Sequence, residues 1–245
     1  MPKPICLWSG PRTVSTALMY SFAQREDIMV VDEPLYGHYL RVSGADHPGR
    51  DKVLASMNCD GDSVMHQLLN AQVGDNSKRH FYKHMAHHLL ALDLGFLRQT
   101  CNILLIRDPV EMLPSLTIQV PQATLIDTGL RQQWDLYSDL LHSGQDPAII
   151  DSRELLLDPE GVLRQLCAHL GLTFSNSMLH WTAGPRVEDG VWAPYWYHAV
   201  HRSTGFVAYE PKAEFPAALE PLLVECKPWY DNLFACAIRS SNHGD

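Results

Sequence analysis

Four short apolar runs in this chain each end at, or a few residues before, a charged residue, and that pattern constrains the fold more than any other feature. Ile5–Trp8 leads into Ser9-Gly10-Pro11-Arg12, and Ile28–Val31 into Asp32-Glu33-Pro34. Phe81-Tyr82 leads into Lys83, and Cys101–Ile106 into Arg107-Asp108-Pro109. Compact apolar runs that end at Gly, Pro or a charge read as buried strands, and Ala148–Ile150 reads as another. Helical spacing appears between them over Ser15–Ala23, Asp62–Ala71, Val110–Leu116, Leu130–Leu141 and Pro159–Leu170, the last closed by Gly171. Strands that alternate with helices predict an α/β fold: a P-loop-like parallel sheet flanked by helices on both faces. In such sheets ligands bind beyond the carboxyl ends of the strands, which is where Arg12, Glu33, Lys83 and Arg107 fall.

A length of 245 residues, 46% hydrophobic and 19% charged, predicts a single globular domain over 1–245. Arg41–Asp51 reads as a surface loop, and 184–214 as a late, lid-like loop rich in Trp, Tyr, His and Gly. Residues 215–234 read as a C-terminal helical segment interrupted at Pro228. The formal charge of -9 argues against a nucleic-acid partner but leaves room for a local basic pocket. The six cysteines are scattered without a CxxC pair, as expected of reduced core thiols. The apolar run after Met1-Pro2-Lys3-Pro4 is too short for a signal peptide or a membrane span, so a cytoplasmic protein without a membrane partner is expected.

Gly10-Pro11-Arg12-Thr13-Val14-Ser15-Thr16 sits between the first strand and the first helix. Backbone N–H groups at a helix start, with the helix dipole behind them, form an anion cradle. Ser15 and Thr16 are near enough to the helix start to cap it. The ATP-binding pattern GxxxxGK followed by Ser or Thr fails here, because there is no second Gly and no Lys before Ser15. On these residues alone an ordinary Gly-Pro turn is the alternative. His80, His84, His87 and His88 lie close together, but they lack the Glu of HExxH and a clear third ligand, so no metal is expected.

The loop Pro11-Arg12-Thr13-Val14-Ser15-Thr16 resembles the 5'-phosphosulfate loop of the sulfotransferases that use 3'-phosphoadenosine-5'-phosphosulfate (PAPS), in the form found in tyrosylprotein sulfotransferases. It departs from that form at Val14, where the family has Gly. Ile103–Pro109 with Ser115 resembles the family's 3'-phosphate motif, which implies that Arg107 and Ser115 bind that phosphate. Val31–Tyr36 and His201–Phe206 are similar to segments of compact bacterial sulfotransferase-like proteins, and the likeness runs from Ile5 to about Phe234.

The resemblance implies sulfuryl transfer from PAPS to an acceptor hydroxyl or amine, with 3',5'-adenosine bisphosphate as product and no metal. Glu33 is then the candidate base, against a structural ion pair or a turn cap. Arg12 is the candidate contact to the transferred group, and Lys83 a second cation, against a solvated surface lysine. His84 is a rival base, as in the cytosolic branch of the family. Arg202 and Gly205 resemble a late loop that closes over the nucleotide, while the Trp and Tyr residues around them read mainly as packing. The acceptor is expected to be a small molecule or a peptide, bounded by Tyr36, His38, Tyr39 and the late loop. An ATP-dependent small-molecule kinase and an inactive nucleotide-binding homologue are the alternatives. Oligomeric state is not legible in the sequence.

Overall fold

The computed structural model describes residues 2–74, 77–211 and 214–240. Six strands form one parallel sheet: β1 Ile5–Ser9, β2 Ile28–Asp32, β3 Arg79–Met85, β4 Cys101–Ile106, β5 Ala148–Asp151 and β6 Ala237–Ile238. Their order across the sheet is β2-β3-β1-β4-β5-β6. The helices are α1 Ser15–Ala23, α2 Tyr36–Ser43, α3 Arg50–Ser56, α4 Gly61–Gly74, α5 Pro109–Leu116, α6 Leu125–Thr128 and α7 Leu130–His142. They continue with α8 Ser152–Leu157, α9 Pro159–His169, α10 Ala193–Trp196 and α11 Glu220–Ala235.

Strand alternation sorts the core into two layers, because successive side chains point to opposite faces. Ile5, Leu7, Val30 and Phe81 pack against α1 and α9 through Leu18, Phe22, Val162 and Leu166. Cys6, Trp8, Tyr82 and Leu104 face the other layer, where α4, α5, α7 and α11 contribute Met65, Leu113, Leu136 and Tyr230. A third cluster lies apart from these layers: α2, α3 and α10 join through Tyr36, Leu40, Val53 and Trp192.

The strand order explains where a ligand can enter. The chain leaves β1 for the edge strand β2, returns through β3, and then places β4 on the far side of β1. The connections reverse direction at β1, which opens a crevice at its carboxyl end.

Three expectations need correction. Arg41–Asp51 is not one loop, since α2 runs to Ser43 and α3 begins at Arg50, with only the turn between them irregular. Pro228 does not interrupt α11, which continues through it. Pro228 and Val224 are both exposed, so the carbonyl that loses its N–H donor can turn to water. Lys83 does not follow a strand but lies inside β3, paired with Leu7 of β1 and Asp32 of β2.

Candidate active site

A cavity of about 520 Å³ opens over the carboxyl end of β1 and is lined by Pro11 to Ala17, Glu33, Lys83, Arg107 and the late segment, including Arg202 and Gly205. Its first wall is the loop after β1. Gly10 is fixed by space: a Cβ there would sit 2.8 Å from the carbonyl oxygen of Thr128. Arg12 and Val14 both adopt left-handed backbone conformations, with φ of 58° and 54°. For a β-branched residue that conformation is a true outlier, and it marks Val14 as the position where glycine would be unstrained.

The expected Ser or Thr cap is absent. Val14 is the N-cap of α1, with no side-chain hydrogen bond to the first turn. Cavity-lining residues Ser15, Thr16 and Ala17 therefore sit in a first turn whose N–H groups have no intrahelical partner and no cap from the Val14 side chain. Two residues that the sequence did not flag hold this wall. The Ser152 hydroxyl lies 3.0 Å from the Thr13 carbonyl and 2.7 Å from that of Ile106. Gln133 donates from Nε2 to the carbonyls of Trp8 and Leu105, tying the ends of β1 and β4 together.

The cations at this wall are poorly neutralised. Arg12 Nε donates to Ser115 Oγ at 2.8 Å, and its terminal nitrogens bond to no described residue. Arg107 donates from one terminal nitrogen to the Arg12 carbonyl at 2.6 Å, and from Nε to Glu111 at 3.3 Å. Burial, then the like charge of Arg107, pushes the Arg12 guanidinium below its usual range. An anion bound between the two would relieve both effects. Gly10, His38, Ser115 and His84 are the expected site residues that do not line the cavity themselves, His38 being held between the Gly61 N–H and the Leu90 carbonyl.

The opposite wall is built from carboxylates. Glu33 has a φ of 39° and is held by its N–H to the Lys83 carbonyl at 2.8 Å. Lys83, 1% exposed, donates to Asp32 Oδ1 at 2.9 Å, to Glu33 Oε1 at 2.5 Å and to the Tyr197 hydroxyl at 2.8 Å. All three ammonium protons have acceptors. Burial works against the charge on Lys83, but the two carboxylates outweigh it and raise its proton affinity above that of an ordinary lysine. Burial also raises Glu33, with Asp32 adding to the effect and Lys83 opposing it. Glu33 Oε2 accepts no hydrogen bond from the described residues, and Glu33 lines the cavity.

His84 is not brought to the site. It neighbours Lys83 along β3, so it faces the other layer, stacked on Trp8 with ring centroids 4.4 Å apart. Complete burial, then the Lys83 charge, pushes its imidazole down to about 3. An aromatic rim of mostly buried side chains also lines the cavity. His88 stacks on Tyr39 at 4.5 Å and on Tyr36 at 5.2 Å, and the Tyr36 hydroxyl lies 3.0 Å from His47 Nδ1. Burial, then His47, pushes His87 down to about 4, so the rim's histidines carry no charge at neutral pH. Among the described residues no group of three or more His, Cys, Asp or Glu side chains is placed to hold a metal. No described helix is long and apolar enough to cross a membrane.

A family model for the sulfotransferase domain matches residues 3–237. The chain belongs to the sulfotransferase domain family. The sulfotransferase domain from the curacin biosynthetic pathway superposes with a TM-score of 0.54 at 15% identity, over 93% of this chain and 98% of that one. A sulfotransferase from Alicyclobacillus acidocaldarius gives 0.54 at 16%, over 96% of each chain. These likenesses establish the fold, a six-stranded parallel sheet between helices. Among curated proteins, the chain is 43% identical to branched-chain-amino-acid aminotransferase-like protein 2 of Arabidopsis thaliana, over 95% of this chain and 41% of that protein. It is 44% identical to protein 1 of the same name, over 98% of this chain and 43% of that protein. The chain thus spans about two-fifths of the length of these relatives, and their names describe the longer proteins.

Proposed function

We propose that this sulfotransferase moves a sulfuryl group from PAPS to an acceptor hydroxyl or amine by in-line displacement. One observation carries the reading: Arg12, whose terminal donors and charge meet no carboxylate among the described residues, faces the same cavity as the buried carboxylate Glu33, whose Oε2 accepts from none of them. Sulfuryl transfer needs that pairing, a cation for the charge on the leaving side and a base for the attacking side.

The first wall suits the donor. The open first turn of α1 and the Arg12 guanidinium would hold the 5'-phosphosulfate, as helix N-termini hold other oxyanions. Arg107 lines the cavity and would take the 3'-phosphate, while Ser115 holds Arg12 beside it, and Arg202 and Gly205 of the late segment would cover the nucleotide. When bound, PAPS supplies an electrophilic sulfur whose leaving group is 3',5'-adenosine bisphosphate. Glu33 accepts the acceptor's proton at Oε2, and its raised proton affinity makes it a better base than an exposed carboxylate. Lys83 has no spare donor in this arrangement, so contact with the transferred group falls to Arg12, while Lys83 holds the carboxylates in place. The neutral aromatic rim of Tyr36, Tyr39 and His88 would receive a small acceptor.

The test is to incubate the protein with PAPS and a panel of phenols, sugars, amines and peptides, following bisphosphate release. The expected result is acceptor-dependent release that Glu33→Gln abolishes. Phosphorylation of the same panel from ATP and magnesium, without release from PAPS, would overturn the proposal.

A further inference from the structure

We propose that Tyr197 is a positioning residue for Glu33, and that its hydroxyl makes seating of the late segment a condition for aligning the base. The role given to Glu33 rests on the sulfuryl-transfer reading, whereas the network itself does not.

Tyr197 follows α10 and is buried, 6% exposed, yet its hydroxyl meets four polar groups from three parts of the chain. It accepts from Lys83 Nζ at 2.8 Å and from Trp192 Nε1 at 3.0 Å, and donates to Asp32 Oδ2 at 2.7 Å. Glu33 Oε1 lies 3.4 Å away. A phenol has one proton, and the distances give it to Asp32. The result is a closed ring of donors and acceptors: Tyr197 to Asp32, Lys83 to Asp32, and Lys83 to Tyr197. Glu33 Oε1 is tethered to that ring through Lys83, which leaves Oε2 for the acceptor.

Without the hydroxyl, one Lys83 proton, one Asp32 oxygen and the Trp192 indole N–H would all lose a partner in a buried site. Losses of that kind are expensive, and the ammonium would turn to recover a bond. The tether on Glu33 would turn with it.

The same segment is pinned elsewhere. Gly190 N–H donates to Asp32 Oδ2 at 3.4 Å, while Asp189 accepts from the Tyr20 hydroxyl of α1 at 2.6 Å and pairs with His201 at 2.9 Å. The segment that carries Arg202 and Gly205 is thus the one that completes the ring around Lys83, which couples nucleotide capture to alignment of the base.

The groups facing Glu33 are Asp32 from β2, Lys83 from β3, Tyr197 from the late segment and Tyr36 from α2. Burial, then Asp32, raises Glu33, while Lys83 lowers it. The Tyr197 proton goes to Asp32, so losing the hydroxyl draws the ammonium toward Asp32, loosens the Lys83 bond to Glu33 and raises Glu33 further.

The experiment is an infrared titration of the Glu33 carboxyl in the full chain, isolated by subtracting the matching Glu33→Gln spectrum in each background. Tyr197→Phe should move the midpoint up by about half a pH unit, a roughly threefold gain in proton affinity. Trp192→Phe, which leaves the phenol but removes its donor, should move it the same way by less. A Tyr197→Phe protein with native near-ultraviolet circular dichroism and an unmoved midpoint overturns the proposal. If Tyr197→Phe does not fold, Trp192→Phe decides by the same criterion. The titration needs no acceptor and no donor, so failure of the PAPS reading would show separately, as absent bisphosphate binding.

Discussion

The two walls of the cavity both hold cations, half-buried in one and buried in the other, on opposite plans. Arg12 and Arg107 sit side by side; among the described residues their only carboxylate partner is Glu111, on Arg107, and the terminal nitrogens of Arg12 bond to none. Lys83 sits between two carboxylates and a phenol, with every proton committed. Formal charge alone would rank the three as equal anion-binding candidates. Hydrogen-bond saturation separates them: an unsatisfied cation is prepared for a ligand, and a satisfied one is prepared to hold its neighbours.

Four changes and one control test that division. The largest effect is expected from Glu33→Gln, which keeps the Lys83 bond but removes the base. Turnover should fall about 10²–10⁴-fold in a bisphosphate-release assay. Lys83→Met strands Asp32 and Glu33 without a counter-charge, so denaturant unfolding should show a loss of about 3–5 kcal/mol. A loss below about 1 kcal/mol, the level of a surface pair, would break the comparison. Arg107→Ala should weaken bisphosphate binding by about 1.5–3 kcal/mol by calorimetry, and leave 5'-AMP binding nearly unchanged. The smallest effect is expected from Val14→Gly. Relief of left-handed strain, about 1–2 kcal/mol, offsets the lost packing of a half-buried side chain. Val162→Gly in the buried face of α9 has no such relief, and should cost about 3 kcal/mol or more in the same unfolding assay.

The pH dependence follows from Glu33. Its raised proton affinity places the acid limb of the rate profile above the ordinary carboxylate value of about 4.3. Activity falls as pH drops through that limb, because the protonated carboxyl cannot act as a base. An acid limb at or below the ordinary value would contradict that raised affinity and show that Glu33 is not the group that titrates.

Most of the architecture was legible in the sequence, because the buried strands announce themselves as apolar runs that stop at charges. The same rule located Arg12, Glu33, Lys83 and Arg107, which meet at one cavity because the carboxyl ends of parallel strands lie side by side. His84 was resolvable too: two neighbours in one strand cannot share a face, so Lys83 and His84 could not both serve the site. The short helices α2 and α3 were hidden by the Gly and Pro residues between them. Tyr197 was not legible, since its main partner Asp32 lies 165 positions away and a tyrosine in an aromatic loop reads as packing. Ser152 and Gln133 share that limit, because their partners are backbone carbonyls on other strands and loops.

The central claim is that the Arg12–Arg107 wall is built for the donor's two phosphate positions. Calorimetric titration with 3',5'-adenosine bisphosphate, run beside 5'-AMP and ATP, tests it most directly. The account predicts micromolar or tighter binding of the bisphosphate, much weaker 5'-AMP, and loss of that difference in Arg107→Ala. Equal binding of the bisphosphate and 5'-AMP, or tighter binding of ATP with magnesium, would contradict it.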